Sequence, residues 1–247
     1  MKQTKPPAGR AQRIVTAIVF LSLVGSAAFI FIRLLLAPDT LTGEQIASHV
    51  STKADYVLML LQCLLGAVAM LLPGWLSKKW QLQIPSVMMM FYVVFLYCAV
   101  YLGEVRSFYY LIPHWDTVLH TFSGFMLGCL SFSVITLANR SERVPVNLTP
   151  AFVAVFAFCF SMMLGAVWEI YEFTADGLLG LNMQKFMLSD GTVLAGHEAL
   201  TDTMKDLSVD AIGALVTSAV GYVSLKYDKG WIENFQLRRR QPAEKEC

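Results

Sequence analysis

Six runs of apolar residues, each close to 20 residues long, constrain this chain more than any other feature of its sequence. A helix rises 1.5 Å per residue, so about 20 residues cross the ~30 Å hydrocarbon core of a bilayer with every backbone hydrogen bond satisfied internally. The runs predict transmembrane helices at residues 14–37, 55–76, 84–103, 116–138, 151–173 and 207–226. The expected fold is all-α, a polytopic membrane protein built as a bundle of about six transmembrane helices.

The composition excludes a soluble globular domain of this length. Only 15% of the 247 residues are charged, 56% are hydrophobic, and the mean hydropathy is +0.55, which leaves too little charge to cover a soluble surface. The first apolar run is also too long for the core of a signal peptide, so we expect it to be retained. We predict one helical membrane domain, with a tail at 1–13, the bundle at 14–226 and a second tail at 227–247.

The distribution of Lys and Arg predicts the orientation, because cytoplasmic loops are enriched in these residues. The side that holds the N-terminus carries fourteen of them: Lys2, Lys5, Arg10, Arg13, Lys78, Lys79, Arg140, Arg143, Lys226, Lys229, Arg238, Arg239, Arg240 and Lys245. The other side carries four: Lys53, Arg106, Lys185 and Lys205. Both termini are therefore expected to be cytoplasmic. The basic residues near the C-terminus are interpreted as retention charges, and nucleic acid is not an expected partner.

Three of the predicted helices carry ionisable side chains close to or inside their apolar runs. Helical spacing places the members of each set on one face of its helix, and in the predicted topology all three sets lie toward the external side. The sets are Asp116 and His120 in "DTVLH", Glu169 and Glu172 in "WEIYE", and Asp202, Asp206 and Asp210 in "DTMKDLSVD". We expect these side chains to meet, since a charged residue near the bilayer centre costs about 2.5–3.5 kcal/mol on insertion scales.

Several carboxylates in one pocket repel each other, and a divalent cation would relieve that repulsion. We predict a site for Mg²⁺, Mn²⁺ or Zn²⁺, because carboxylate oxygens and a neutral imidazole are suitable ligands for these ions. The expected ligands are His120, Glu169, Asp206 and Asp210, with Asp116 and Asp202 in support. Glu169 or Glu172 is the expected general base.

Each of these residues also has a purely structural interpretation. The deep groups could form a buried polar network without a ligand. Asp116 and Asp202 are well placed to cap helix N-termini. Asp176, next to Gly177, is expected at a helix end in water, and His197 in an exposed loop.

The order of the motifs DTVLH, WEIYEF and DTMKDLSVDAIGA within residues 104–226 resembles the YjdF-like family of bacterial membrane-spanning proteins. It is more distantly similar to the VanZ-like family, which has an Asp-x-x-x-His element followed by an acidic element in its last helix. The first three helices match only in hydrophobic character. The resemblance implies a multi-pass protein of the bacterial inner membrane with a role in the cell envelope. It also implies the site residues Asp116, His120, Glu169, Glu172, Asp202, Asp206 and Asp210.

Three classes of function fit these features. The first is a metal-assisted hydrolase or transferase that acts on a phospholipid or isoprenoid-phosphate headgroup at the outer leaflet. The second is a transporter of cations or protons. The third is a lipid-binding or assembly factor. Apart from Asn139 at its end, the helical stretch "CLSFSVITLAN" offers only Ser and Thr as polar groups toward the inner face, and "AFVAVFAFCFS" offers only Ser. This favours a dead-ended pocket and the first class. Membrane lipids are the expected partners.

Overall fold

The computed structural model describes residues 9–38, 52–139, 148–188 and 191–239, and these fold into helices and one small sheet. The elements are α1 (Arg10–Leu36), α2 (Lys53–Lys79), β1 (Leu82–Gln83), α3 (Ser86–Leu96), α4 (Phe108–Leu111), α5 (Trp115–Asn139), α6 (Pro150–Leu179), α7 (His197–Lys226) and β2 (Arg238–Arg239). A π-helix, Tyr97–Val105, directly continues α3, and a 3-10 turn, Glu233–Phe235, precedes β2. The outermost parts of both predicted tails, together with Arg140 and Arg143, lie outside the described residues.

Within the described part of the chain, six helices are long and apolar enough to cross a membrane, which confirms the predicted fold class. They are α1, α2, α3 with its π-helix, α5, α6 and α7. The predicted bounds differ most at two helix ends: α6 runs to Leu179 and not to 173, and α7 begins at His197 and not at 207. The other predicted ends differ from the structure by at most four residues. The additional helical turns at 174–179 and 197–206 contain acidic residues. Hydropathy alone places the end of a helix where such residues interrupt the apolar run.

The spanning helices pack in two groups. α1 packs on α2 and α3 around a core that includes Leu23, Cys63 and Val93. The other group contains α5, α6 and α7. A Cβ on Gly124 would strike the carbonyl oxygen of Asp210, and a Cβ on Gly213 would strike that of Thr121. The backbones of α5 and α7 therefore touch, as the glycines in these helices predict.

The two ends of the bundle differ in charge. The acidic end holds Asp116, His120 and Asp202, and the basic end holds Lys79 and Lys226. The basic end is the one where the chain after α7 folds back onto the bundle.

The segment after α7 is packed into place at the basic end. β2 pairs antiparallel with β1, with Leu82 opposite Arg239. The Ser133 hydroxyl donates a hydrogen bond to the carbonyl of Phe235, and the Phe235 ring stacks on Phe91 with centroids 5.9 Å apart. Ile232 is buried against α5 and α6. The first part of the predicted C-terminal tail is thus part of the folded bundle.

Candidate functional site

His120 on α5 occupies the centre of the acidic end, and its ring is held by Asp210 on α7. The Nδ1 atom lies 3.3 Å from Asp210 Oδ2, and the Ser123 hydroxyl donates to Asp210 Oδ1 at 2.8 Å. Gly165 on α6 leaves room for this carboxylate, because a Cβ there would lie 2.7 Å from Oδ2. A carboxylate that accepts a hydrogen bond from one imidazole nitrogen fixes the tautomer and leaves the other nitrogen available as a metal ligand.

The second nitrogen of His120 faces two further carboxylates. Its Nε2 lies 3.7 Å from Asp116 Oδ1 and 3.9 Å from Asp206 Oδ2. One ligand atom from each of these three residues lies within 4.8 Å of the others. These separations are too long for hydrogen bonds. They suit a shared cation, since ligand atoms that each lie about 2.0–2.2 Å from one metal ion are about 3–4 Å from one another.

Asp206 gives an independent indication that a ligand belongs at this position. It is 1% exposed, and its Oδ1 has no hydrogen-bond partner among the described residues. Buried polar atoms almost always have a partner, because an unsatisfied one costs about 1–3 kcal/mol. A bound cation would satisfy this carboxylate and offset its repulsion of Asp116 and Asp210.

Lys185 is one of two charged residues at this end that were not predicted from the sequence as site residues; the other is Glu104, which also lines the cavity. The Lys185 ammonium forms a close ion pair with Asp116 Oδ2, lies 3.5 Å from Asp202 Oδ2, and lies over the Tyr109 ring at 5.4 Å. Burial lowers the pKa of Lys185, but the two carboxylates outweigh burial and raise it above its ordinary value. The side chain therefore stays cationic beside the acidic group, and it offers a ligand to an anion.

Hydrogen bonds within the connection between α6 and α7 hold the backbone around Lys185 in place. Asp176 accepts the backbone N–H of Met183 at 2.7 Å and that of Gln184 at 3.0 Å. The Asn182 amide bonds both the N–H and the carbonyl of Met187. Lys185 itself adopts φ +48°, a left-handed conformation that is rare for a non-glycine residue and persists where the surroundings impose it.

Three sequence interpretations need correction at this end of the molecule. Asp176 is not a solvated loop residue: it lies within α6 and is 7% exposed. Asp202 does not cap a helix, because α7 begins five residues earlier and Asp202 instead approaches Lys185. His197 is exposed as expected but is the first residue of α7, not part of a loop. Asp116 lies in the first turn of α5, where its carboxylate binds Lys185.

The two predicted general bases lie in different surroundings. Glu172 lines a cavity that runs between α2, α3, α5 and α6. Its Oε1 accepts a hydrogen bond from the Trp168 indole N–H at 2.9 Å. Glu169 is 5% exposed, and neither of its carboxylate oxygens meets hydrogen-bond geometry with a described residue, although Gln184 and Thr203 lie near it. It belongs neither to the group around His120 Nε2 nor to the described lining of the cavity. Glu172 is therefore the better placed of the two to meet a substrate.

A cavity of about 710 Å³ connects this cluster to the interior of the bundle. It lies between α2 and α3 on one side and α5 and α6 on the other. Its acidic end is lined by Glu104, Asp116, His120, Glu172, Lys185 and Asp210. Leu, Met, Phe and other apolar side chains form most of the remaining wall, down to Trp80 and Leu237 at the basic end. Its size is in the usual range of small-molecule sites.

Comparison with known proteins gives a family but no solved relative. The family model described as "Predicted membrane protein (DUF2238)" matches residues 40–227, about three quarters of the chain. A Thermotoga maritima protein described as "Uncharacterized protein" is 29% identical over 123 residues, which are 49% of this chain and 54% of that protein. The chain thus matches about half the length of this relative. No solved structure matches.

The family match is consistent with the YjdF-like resemblance, whereas the distant VanZ-like similarity stays a prediction. The matched residues include all of the candidate site, from Asp116 to Asp210, and five of the six spanning helices in full. The chain belongs to the DUF2238 family of predicted membrane proteins.

Proposed function

We propose that this protein is a metal-assisted hydrolase or transferase that acts on the phosphate-containing headgroup of a membrane lipid. The observation that carries the proposal is the cavity, whose polar end contains a carboxylate–imidazole group and one cation, and whose remaining wall is apolar. An amphipathic substrate fits this distribution, with its headgroup at the acidic end and its hydrocarbon along the apolar wall.

Each polar residue has a defined part in this chemistry. Asp116, His120 and Asp206 would hold a divalent cation, which neutralises charge on a phosphoryl oxygen. Lys185 would bind a second phosphoryl oxygen through its ammonium. Glu172 would accept a proton from the water or hydroxyl group that attacks phosphorus. As the new bond to phosphorus forms, the bond to the leaving oxygen breaks, and that oxygen takes a proton from solvent.

The same cavity argues against the transporter alternative. A path for ions needs polar groups along its whole length, because an unpaired charge in hydrocarbon is costly. Beyond the acidic end, the described lining consists mainly of residues such as Leu127, Leu130 and Val134. The acidic and basic side chains of the described lining are confined to one end, and a site of this kind suits binding and catalysis.

The proposal is tested with the purified full chain in lipid nanodiscs. Metal content is measured by mass spectrometry, and headgroup release is followed for a phospholipid and for a polyprenyl phosphate or diphosphate, with Mg²⁺, Mn²⁺, Zn²⁺ or EDTA. We expect metal-dependent release of one of these headgroups. Glu172→Gln should abolish release while leaving the metal content unchanged, since Glu172 lies outside the ligand group.

Exposed Glu198 on α7 provides the matched control, and Glu198→Gln should keep both metal and activity. Retention of lipid without headgroup release under any metal would replace the enzyme with the lipid-binding factor. Absence of bound metal in the presence of all three ions would favour a structural network in which His120 is charged. The location in the inner membrane, with the catalytic end external, is part of the same proposal and is tested by the topology experiment below.

A further inference from the structure

The length of the cavity is its least expected property. Its wall follows α5 from Asp116 at the acidic end to Leu137 near the basic end. At 1.5 Å per residue these two positions are about 30 Å apart, close to the whole thickness of the hydrocarbon core. The fatty acyl chains of one leaflet reach about half that depth. A chain that fills this cavity must therefore be longer than an ordinary acyl chain.

The width of the cavity is sufficient for a hydrocarbon chain along its whole length. A volume of about 710 Å³ spread over about 30 Å leaves a mean cross-section of roughly 24 Å². Packed methylene groups lie about 4 Å from their neighbours, so one chain needs roughly 16 Å². One chain therefore fits, and the cavity is long rather than broad.

The basic end of the cavity is formed by the folded C-terminal segment. Phe235 and Leu237 contribute to the wall there, and the pairing of β2 with β1 holds this segment against the bundle. The chain of a bound lipid would meet these side chains at its far end. The cavity thus has a polar end with a cation for an anionic headgroup, one narrow apolar path, and an apolar end wall.

We propose that the cavity binds one long, single-chain amphiphile with an anionic headgroup, of the polyprenyl phosphate class, and selects it by chain length. The inference deepens the proposed function and rests on it for the position of the headgroup. Selection has a physical basis: a short chain leaves the far part of the cavity without packing partners, and wall atoms beside a void lose their dispersion contacts. The acyl chains of a two-chain phospholipid would end about halfway along the cavity and leave the same part of it unfilled.

The test is a competition in nanodiscs that contain the full-length protein and EDTA, with bound lipid identified by native mass spectrometry. The probes are farnesyl phosphate, hexaprenyl phosphate and dioleoyl phosphatidic acid, which share a phosphate monoester and differ in their chains. We expect hexaprenyl phosphate to be retained over each of the other two by at least about tenfold. Equal retention of all three would overturn the inference.

Two neighbouring residues of α2 make a matched pair for blocking the cavity. Leu72 is 46% exposed and lines the cavity about 20 Å beyond Leu58 along the helix, whereas Leu71 is 60% exposed and does not belong to the described lining. Leu72→Trp should reduce the preference for hexaprenyl phosphate over farnesyl phosphate to below about threefold. Leu71→Trp should leave it unchanged. Leu137→Trp, on the opposite wall, repeats the test if Leu72→Trp does not accumulate.

The readout separates this inference from the proposed function. Binding is measured without metal and without turnover, so loss of the proposed chemistry leaves the chain-length preference measurable. If both tryptophan variants of the lining behave like Leu71→Trp, the chain does not run along the cavity, even if metal-dependent headgroup release is observed.

Discussion

At the scale of single residues, the role of Asp210 differs from the one its position in the sequence indicates. It is predicted as a metal ligand, but its carboxylate bonds His120 Nδ1 and the Ser123 hydroxyl. In this arrangement it orients the imidazole, and the opposite nitrogen faces Asp116 and Asp206. A residue of this kind controls how well the ligand group is preorganised.

Asp210→Asn is therefore expected to weaken metal binding without removing it. An amide can still accept a hydrogen bond from Ser123, but it no longer holds the imidazole through a charge-assisted bond. Loss of such a partner costs about 10- to 100-fold in metal affinity. Isothermal titration of the purified variant measures the change, and Glu198→Gln serves as the control. An affinity equal to that of the wild type would show that Asp210 does not orient a ligand.

Lys185→Met should shift the affinities for cations and anions in opposite directions. Met keeps the length of the side chain but removes the ammonium that competes with a cation for Asp116. We expect divalent-cation affinity to rise by roughly tenfold and binding of a phosphate monoester lipid to fall by a similar factor. Exposed Lys205 on α7 gives the control, Lys205→Met. A fall in both affinities would instead indicate that Lys185 only holds the fold together.

The sequence predicts the convergence of His120, Asp206 and Asp210 because the helical repeat places each on an inward stripe and lipid penalises any other arrangement. It does not predict Lys185. The position of that ammonium depends on a bend held by Asp176 and Asn182, and such contacts follow no sequence period. From the sequence, Asp176 was expected at a helix end in water, whereas its carboxylate holds this bend. Asp176→Asn is therefore expected to disturb the position of Lys185.

At the scale of elements, the site depends on how closely α5 and α7 approach each other. Hydropathy predicts both helices, but only their contact brings His120 to Asp210. Gly124 and Gly213 permit that contact by removing side chains where one backbone meets the other. The exact helix ends were not predictable, since acidic residues in the first turns of α7 are tolerated through contacts with other elements.

Gly124→Ala should separate these helices and damage the site. The added methyl group would meet the backbone carbonyl of Asp210, which cannot move away as a flexible side chain could. Overpacking of this kind costs about 1–3 kcal/mol, and thermal unfolding in detergent should show a lower midpoint. Gly177→Ala on α6 is the matched control, because no atom lies within 4 Å of its added Cβ. Ala is also the better helix former there, by up to about 1 kcal/mol. A midpoint for Gly124→Ala as high as that of the control would contradict direct helix contact.

At the scale of the whole molecule, the two ends of the bundle differ in charge: one carries the acidic cluster, and the other carries lysines beside aromatic rings. The ionisable cluster lies entirely at one end. At the other end Lys79 lies over Trp75 at 4.5 Å and Lys226 over Tyr222 at 5.2 Å. Lysines paired with aromatic rings are typical of the membrane–water interface, where the ring lies at headgroup level and the ammonium reaches water.

This asymmetry, together with the fourteen-to-four distribution of Lys and Arg, predicts that the basic end faces the cytoplasm. Reporter fusions after residues 79, 143 and 247 should therefore be active in the cytoplasm, and fusions after residues 48, 110 and 190 should be active outside it. The fusion after residue 190 is decisive, because it lies in the connection that carries Lys185. A cytoplasmic signal there would place the cluster on the inner face, and its substrate would then have to be a headgroup of the inner leaflet. An external signal would require that the headgroup be presented from the outer leaflet, with its chain extending through the bundle toward the cytoplasmic side.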